Sequence, residues 1–254
     1  MELSAKQHTR IDILDAARAL SLFYMVIYHA AYDITIIFGF QSQLYTLLQP
    51  FEPLSSGTFI LLAGISCRFS HSNFRRAIRI LLIAAAITVI TAAFLPEQAI
   101  WFGVLHFIGI GILLFIPLSH FLDRISSRIS LPILLVLFLF TFQLPFKGTV
   151  GLPYILQFSL PTAAFSSPFL FWLGFPQPSF ASADYFPLIP WLFLLLIGSI
   201  IGKPIKSHQF SSLFYTIRLP VLAGIGRHTL LVYVLHQPIL FSIIYCFFSV
   251  SQSH

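Results

Sequence analysis

The residues able to do chemistry lie first along one stretch, Asp12 to Phe40 (D-I-L-D-A-A-R-A-L-S-L-F-Y-M-V-I-Y-H-A-A-Y-D-I-T-I-I-F-G-F). It is apolar enough and long enough to cross a bilayer as a helix. It nevertheless carries Asp15, Arg18, His29 and Asp33. An ionisable group at membrane depth costs about 2.5–3.5 kcal/mol on an insertion scale, so by default it marks function. Arg18 and His29 are eleven residues apart, which on a helix is roughly 20° in azimuth and about 16 Å in height. Asp15 precedes Arg18 by one turn, and Asp33 follows His29 by one turn. One stripe thus reads acid, base, imidazole, acid. A carboxylate beside the imidazole favours its charged form and fixes its orientation, which suits His29 to general-base or nucleophilic chemistry with Asp33 as its partner. The plainer reading makes Arg18 an anchor that snorkels to the interface and His29 an interior hydrogen-bonding group.

The remaining histidines and acids supply a possible acceptor side. His106 lies in F-G-V-L-H-F-I-G and His236 in L-H-Q-P, both inside apolar runs. Counted along their spans, His29, His106 and His236 reach similar depths, so three imidazoles are expected to share one polar pocket. Their local spacing does not match a metal-ligand motif, and no metal is expected. In D-Y-F-P-L-I-P-W (184–191), Asp184 is read either as a cap on the helix that follows or as an acceptor-binding group at the pocket mouth. Tyr185 and Trp191 suit a membrane interface. The basic stretches R-F-S-H-S-N-F-R-R-A-I-R and G-I-G-R-H-T serve topology and lipid head groups, and some of their arginines could grip a phosphorylated donor. No G-x-x-x-x-G-K-[ST] loop is present, which argues against an ATP-driven device.

Those residues must be positioned by membrane helices. The chain of 254 residues is 57% hydrophobic and 9% charged, against about 25% charged for a soluble domain. A single all-α domain over residues 1–254 is expected, a polytopic bundle of seven spans near 13–38, 51–68, 77–95, 99–121, 130–146, 186–202 and 228–250. The opening M-E-L-S-A-K-Q-H-T-R resembles the basic region of a signal peptide, but Asp15 and Arg18 interrupt the long apolar run, which reads as an uncleaved first span. With this count, 13 of the 14 basic residues fall on the N-terminal side, from Lys6 and Arg10 to Arg218 and Arg227, and Lys147 alone on the other. The positive-inside bias then puts the N-terminus in the cytoplasm and the C-terminus outside. The net charge of +6 is explained by this topology rather than by nucleic acid. Residues 147–185, with Pro153, Pro161, Pro168, Pro176 and Pro178, read as an outer loop covering a cavity, with room for a re-entrant piece at 154–174. Gly198 and Gly202 form a small-xxx-small pair suited to close helix packing.

Five segments in order carry a resemblance: I-D-I-L-D-A-A-R-A-L with M-V-I-Y-H, F-I-L-L-A-G-I-S-C-R-F-S, W-F-G-V-L-H-F-I-G-I, D-Y-F-P-L-I-P-W-L-F and G-R-H-T-L-L-V-Y-V-L-H-Q-P. Together they resemble the bacterial branch of the heparan-alpha-glucosaminide N-acetyltransferase catalytic-domain family. The Arg18-x10-His29 spacing is similar to that of transmembrane acyltransferases that modify surface sugars. The resemblance implies an acyltransferase of the bacterial inner membrane. It would move an acetyl or other acyl group from cytoplasmic acyl-CoA to an amine or hydroxyl of an extracytoplasmic glycan or glycolipid. Carried over by motif, His29 is the catalytic imidazole, Arg18 its first-span partner, and Asp184 and His236 further pocket residues. The full assignment is His29 and Asp33 as catalytic groups, Arg18, Arg75, Arg76 and Arg227 on the CoA phosphates, and His106, Asp184 and His236 on the acceptor. The competing reading is a proton-coupled transporter relaying protons through the same His and Asp groups. Transporters often show inverted repeats, and the sequence contains no recognisable repeat.

Overall fold

The computed structural model describes residues 11–251; Lys6 and Arg10 of the charge pattern, and the signal-like opening, lie outside the described residues. The helices are α1 (Asp12–Tyr32), α2 (Gln43–Leu48), α3 (Glu52–Cys67), α4 (Asn73–Phe94), α5 (Val104–Leu122), α6 (Ser127–Thr141), α7 (Leu144–Lys147), α8 (Leu188–Lys206), α9 (Ser212–Thr216), α10 (Pro220–Arg227) and α11 (Thr229–Ser251). Among the described residues, six helical segments are long and apolar enough to cross a membrane: Asp12–Ile37, Asn73–Phe94, Val104–Leu122, Ser127–Lys147, Leu188–Lys206 and Thr229–Ser249. A helix also stands at the place of the second expected span, but α3 has 16 residues, short of the about 20 that a bilayer core asks for. Large apolar side chains such as Leu82, Val89 and Phe94 on α4 face outward, as suits helices solvated by lipid.

The chain divides into two compact units, Met1–Phe59 with Phe210–His254, and Ile60–Gln209. In the first unit, α1 is the spine against which α9, α10 and α11 pack. Its Ala16, Ala19 and Ala31 are buried and small enough to admit neighbours closely. α10 comes closest, because Gly226 lies directly on the backbone of Asp15 and any Cβ there would collide with it. At Asp33 the α-helix gives way to a π-helical turn, Asp33–Ile37. Across from it, α11 runs on through Pro238, with one backbone hydrogen bond fewer. The first unit's two long helices are therefore irregular where their polar side chains meet.

In the second unit, α4 packs on α5, and α8 packs on α5 and α6. α8 also meets the C-terminal half of α3 along a seam of glycines. Gly64 sits against the Leu195 carbonyl and Gly198 against the Leu61 carbonyl, with Gly202 beside Ile65. The sequence pair Gly198 and Gly202 thus works with Gly64 on the facing helix. Residues 147–185 form no long helix. They hold an antiparallel hairpin, β1 (Thr149–Leu152) with β2 (Leu156–Ser159), in which Thr149 faces Ser159 and Leu152 faces Leu156. Two short 3-10 turns follow, Thr162–Phe165 and Phe171–Leu173.

Gly198→Leu and Gly64→Leu each force a side chain into a backbone carbonyl that cannot swing away. Each is expected to cost about 1–3 kcal/mol or more, read as a lower unfolding temperature in detergent. Gly224→Leu, where a Cβ meets nothing within 4 Å, should leave it nearly unchanged.

Candidate functional site

The first unit holds two polar clusters on α1, one at each end of its buried face. At the N-terminal end, Asp12 and Asp15 are 5% and 7% exposed. Asp12 accepts the Leu219 N–H at 3.3 Å and pairs with Arg227 at 3.2 Å. Asp15 pairs with Arg18 in its own helix, and the Arg227 Nε lies 3.7 Å from its other oxygen. Two acids and two bases thereby cancel, which is how charges at this depth become tolerable. Arg18 and Arg227, read from the sequence as phosphate contacts, are both engaged in this network. Asp12, not singled out in the sequence, is what ties α1 to the loop before α10 and to Arg227.

One helix length away, Asp33 is wholly buried. Both its oxygens accept from Gln237 Nε2, at 2.8 and 3.0 Å, and among the described residues no lysine or arginine pairs with it. His29 sits one turn before it, and the His29 and His236 rings meet edge to face with centroids 4.9 Å apart. Asp33 makes no hydrogen bond to the His29 ring; its influence there is electrostatic. The ring is fixed instead by its own helix, with Nδ1 at 2.8 Å from the Met25 carbonyl. A carbonyl only accepts, so Nδ1 carries the hydrogen and the neutral ring keeps its lone pair on Nε2. His236 is set the same way, with Nδ1 at 2.6 Å from the Tyr233 carbonyl. Its Nε2 is buried without a partner, as are Gln237 Oε1 and Thr35 Oγ1. Buried acceptors of this kind are costly unless a donor arrives. The aromatic surroundings are Tyr28, against His29, and Tyr233, against His236. Tyr45 packs on Tyr28.

The second unit carries His106 and Asp184 in a cluster of their own. The Gly103 N–H donates to His106 Nδ1 at 3.3 Å, so this ring holds its hydrogen on Nε2, which faces Thr88 Oγ1 at 3.1 Å. The Thr88 hydroxyl in turn donates to the Ile100 carbonyl at 2.6 Å. Asp184 accepts the Val104 N–H at 2.9 Å, so it caps α5, not the helix that follows it in sequence. Gly103 leaves room for that carboxylate, since a Cβ would strike it. Tyr185 donates to the Phe171 carbonyl at 2.6 Å, and burial pushes its phenol above the ordinary value. The interface reading of Trp191 is corrected: it is 2% exposed and packs among Phe138, Phe142 and Phe186. The enclosing aromatics leave its ring no surface to present to a lipid boundary.

At the basic end of the second unit, Asp123 takes a two-point bond from Arg68, at 3.0 and 2.8 Å, and Lys203 at 2.6 Å. Arg68 also reaches the Ser199 carbonyl at 3.1 Å and covers the Phe115 ring. Arg75 is exposed in the first turn of α4, while Arg76 lies beside the buried Cys67 thiol. Next to them an open depression of about 320 Å³ is lined by Ser70, His71, Asn73, Phe115, Ser119 and His120, among others. Among the described residues no group of three or more His, Cys, Asp or Glu side chains is arranged to hold a metal ion.

Among the described residues, six helices apolar and long enough to span define an integral multi-pass membrane protein of the all-α class. Residues 10–238 match the family profile described as heparan-alpha-glucosaminide N-acetyltransferase, catalytic, and the chain belongs to that family. The family is one of membrane acetyltransferases whose donor is in general acetyl-CoA. Comparison with the curated proteins and with the solved structures gives no match to either.

Partial burial pushes the Asp123 carboxyl up, but the bonds from Arg68 and Lys203 outweigh this and hold it below the usual carboxylate range. A depressed folded value means that the group's stabilisation is present above its unfolded value, about 3.9, and is lost as pH falls through the folded value. The difference in unfolding temperature between the protein and Asp123→Asn should therefore be full near neutrality and shrink below about pH 4. High salt should shrink it too, since the pair is half exposed.

Proposed function

We propose that the chain transfers an acetyl group from cytoplasmic acetyl-CoA to an amine or hydroxyl of an extracytoplasmic sugar, with His29 as the working base. The observation that carries this reading is the His29 ring itself. Its Nδ1–H is committed to the Met25 carbonyl, so the basic lone pair is directed through Nε2. That is the arrangement a general base needs.

In the proposed reaction, His29 Nε2 takes the proton of the acceptor O–H or N–H as that atom attacks the thioester carbonyl. The C–S bond breaks, and the departing CoA sulfur takes the proton back from the imidazolium. The alternative order, with Nε2 itself attacking and briefly carrying the acyl group, uses the same lone pair. Asp33, one turn along, stabilises the imidazolium that either order creates. His236 stands edge-on to His29 and contributes a second acceptor nitrogen to the sugar's hydroxyl or amine.

Donor phosphates fall to arginines. Arg75 and Arg76 lie in the first turn of α4, whose first residues Asn73 and Phe74 line the depression, and Arg75 is exposed. Arg18 and Arg227 would reach a phosphate only by loosening their bonds to Asp15 and Asp12. On the acceptor side, Asp184 and His106 hold the 99–104 turn in place. With both ring nitrogens of His106 engaged, its contribution to acceptor binding is through that turn. The N-terminus is read as cytoplasmic, the membrane as a bacterial inner membrane, and the whole chain as one catalytic domain.

His29→Ala is expected to abolish transfer of radiolabelled acetyl from acetyl-CoA to membrane material, a loss of at least about a hundredfold, while the protein stays folded in detergent. Transfer at the original rate by that variant removes His29 from the chemistry. Acetyl-CoA should also raise the unfolding temperature of the purified protein, which a proton-coupled carrier of small solutes has no reason to show.

A further inference from the structure

Gln237 was not among the residues that the sequence pointed to, yet it is the group that holds Asp33. The carboxylate is fully buried and has the Gln237 amide as its hydrogen-bond donor. An ionised carboxylate out of water must have its lone pairs met by donors. The orientation of the amide is forced, because its oxygen turned toward Asp33 would oppose two negative centres. With Nε2 committed, Oε1 is left buried and unpartnered. Gln237 also directly follows His236 on α11, so one helix turn carries both the ring that touches His29 and the amide that holds Asp33.

We propose that Gln237 is a positioning residue for the acetyl transfer, acting through Asp33. Its N–H group binds both carboxylate oxygens and keeps the negative charge of Asp33 aimed along α1 beside His29. The carboxylate is thereby an acceptor only, and its charge is in place when the imidazole takes the acceptor's proton. Without the amide, Asp33 either takes up a proton itself or turns toward another donor, and the cationic ring loses its counter-charge. No atom of Gln237 enters a bond that forms or breaks. This inference rests on the function proposed above.

The test uses the full chain in native membranes, with radiolabelled acetyl-CoA as the probe. Gln237→Met keeps the volume and removes the donor. It should lower kcat roughly tenfold to hundredfold, the range for a lost hydrogen bond to a charged group, with the KM for acetyl-CoA unchanged. Asp33→Asn should fall similarly, and the double variant should be no slower than the slower single one, because both changes break one link. Gln237→Glu can donate to Asp33 only when its own carboxyl is protonated. The ratio of its rate to that of Gln237→Met should therefore climb as pH is lowered, a response that mere packing would not give. Multiplying losses in the double variant, a flat ratio against pH, or full activity of Gln237→Met with normal thermal unfolding would each overturn the role of Gln237. Absence of transfer by the unsubstituted protein would instead remove the acetyltransferase reading, and this inference with it.

Discussion

A charge placed inside an apolar helix must be answered from within the protein, because lipid offers nothing to hydrogen-bond it. That constraint organises the first unit. α1 and the π-helical turn that continues it carry three buried carboxylates, Asp12, Asp15 and Asp33. Two are answered by arginines, one from α1 itself and one from α10, and the third by an amide from α11. Two of these answers also tie a helix to the spine: α10 and the loop before it are held through Asp12, and α11 through Asp33. The polar residues are thus at once fasteners of the helix packing and material for chemistry.

Three buried or half-buried imidazoles, His29, His236 and His106, are set in two opposite senses. His29 and His236 direct their Nδ1 hydrogens into helix carbonyls and keep a lone pair on Nε2. His106 accepts at Nδ1 and spends its Nε2 hydrogen on Thr88. The cause is local: Nδ1 of a mid-helix histidine lies near the carbonyl one turn back, whereas His106, in the first turn of α5, meets a free backbone N–H. Position within the helix, more than residue type, decides which imidazole can act as a base and which becomes a strut.

Much of this was legible in the sequence. The span-length apolar runs, the stripe on α1 and the motif order that marks the family are all one-dimensional signals, set by helix period and composition. The glycine pair on α8 also pointed correctly to close packing. What the sequence left open depends on partners far apart along the chain. Nothing in D-Y-F-P marks Asp184 as the cap of α5, because the N–H it meets lies eighty residues earlier. Trp191 reads as interfacial by type, and only packing against Phe138 and Phe142 shows it to be core. Gln237 was hidden beside His236, since a glutamine in an apolar run carries no charge signal. The short 3-10 turns and hairpin of 147–185 follow from proline and glycine spacing only in the negative sense that no long helix fits.

The π-helical turn after Tyr32 has a consequence for how the span tolerates change. Such a turn is an α-helix with one residue more than its hydrogen-bond ladder can use. It dephases the two ends of the segment by about 100°, so that the stretch above Asp33 and the stretch below it obey separate registers. Beyond that offset Phe38 stacks on Phe248 at 5.1 Å, and Phe241 stands 5.8 Å away. The turn works like a vernier. Drift in the upper aromatic packing can be absorbed there, and the row from Asp12 to His29 keeps its alignment.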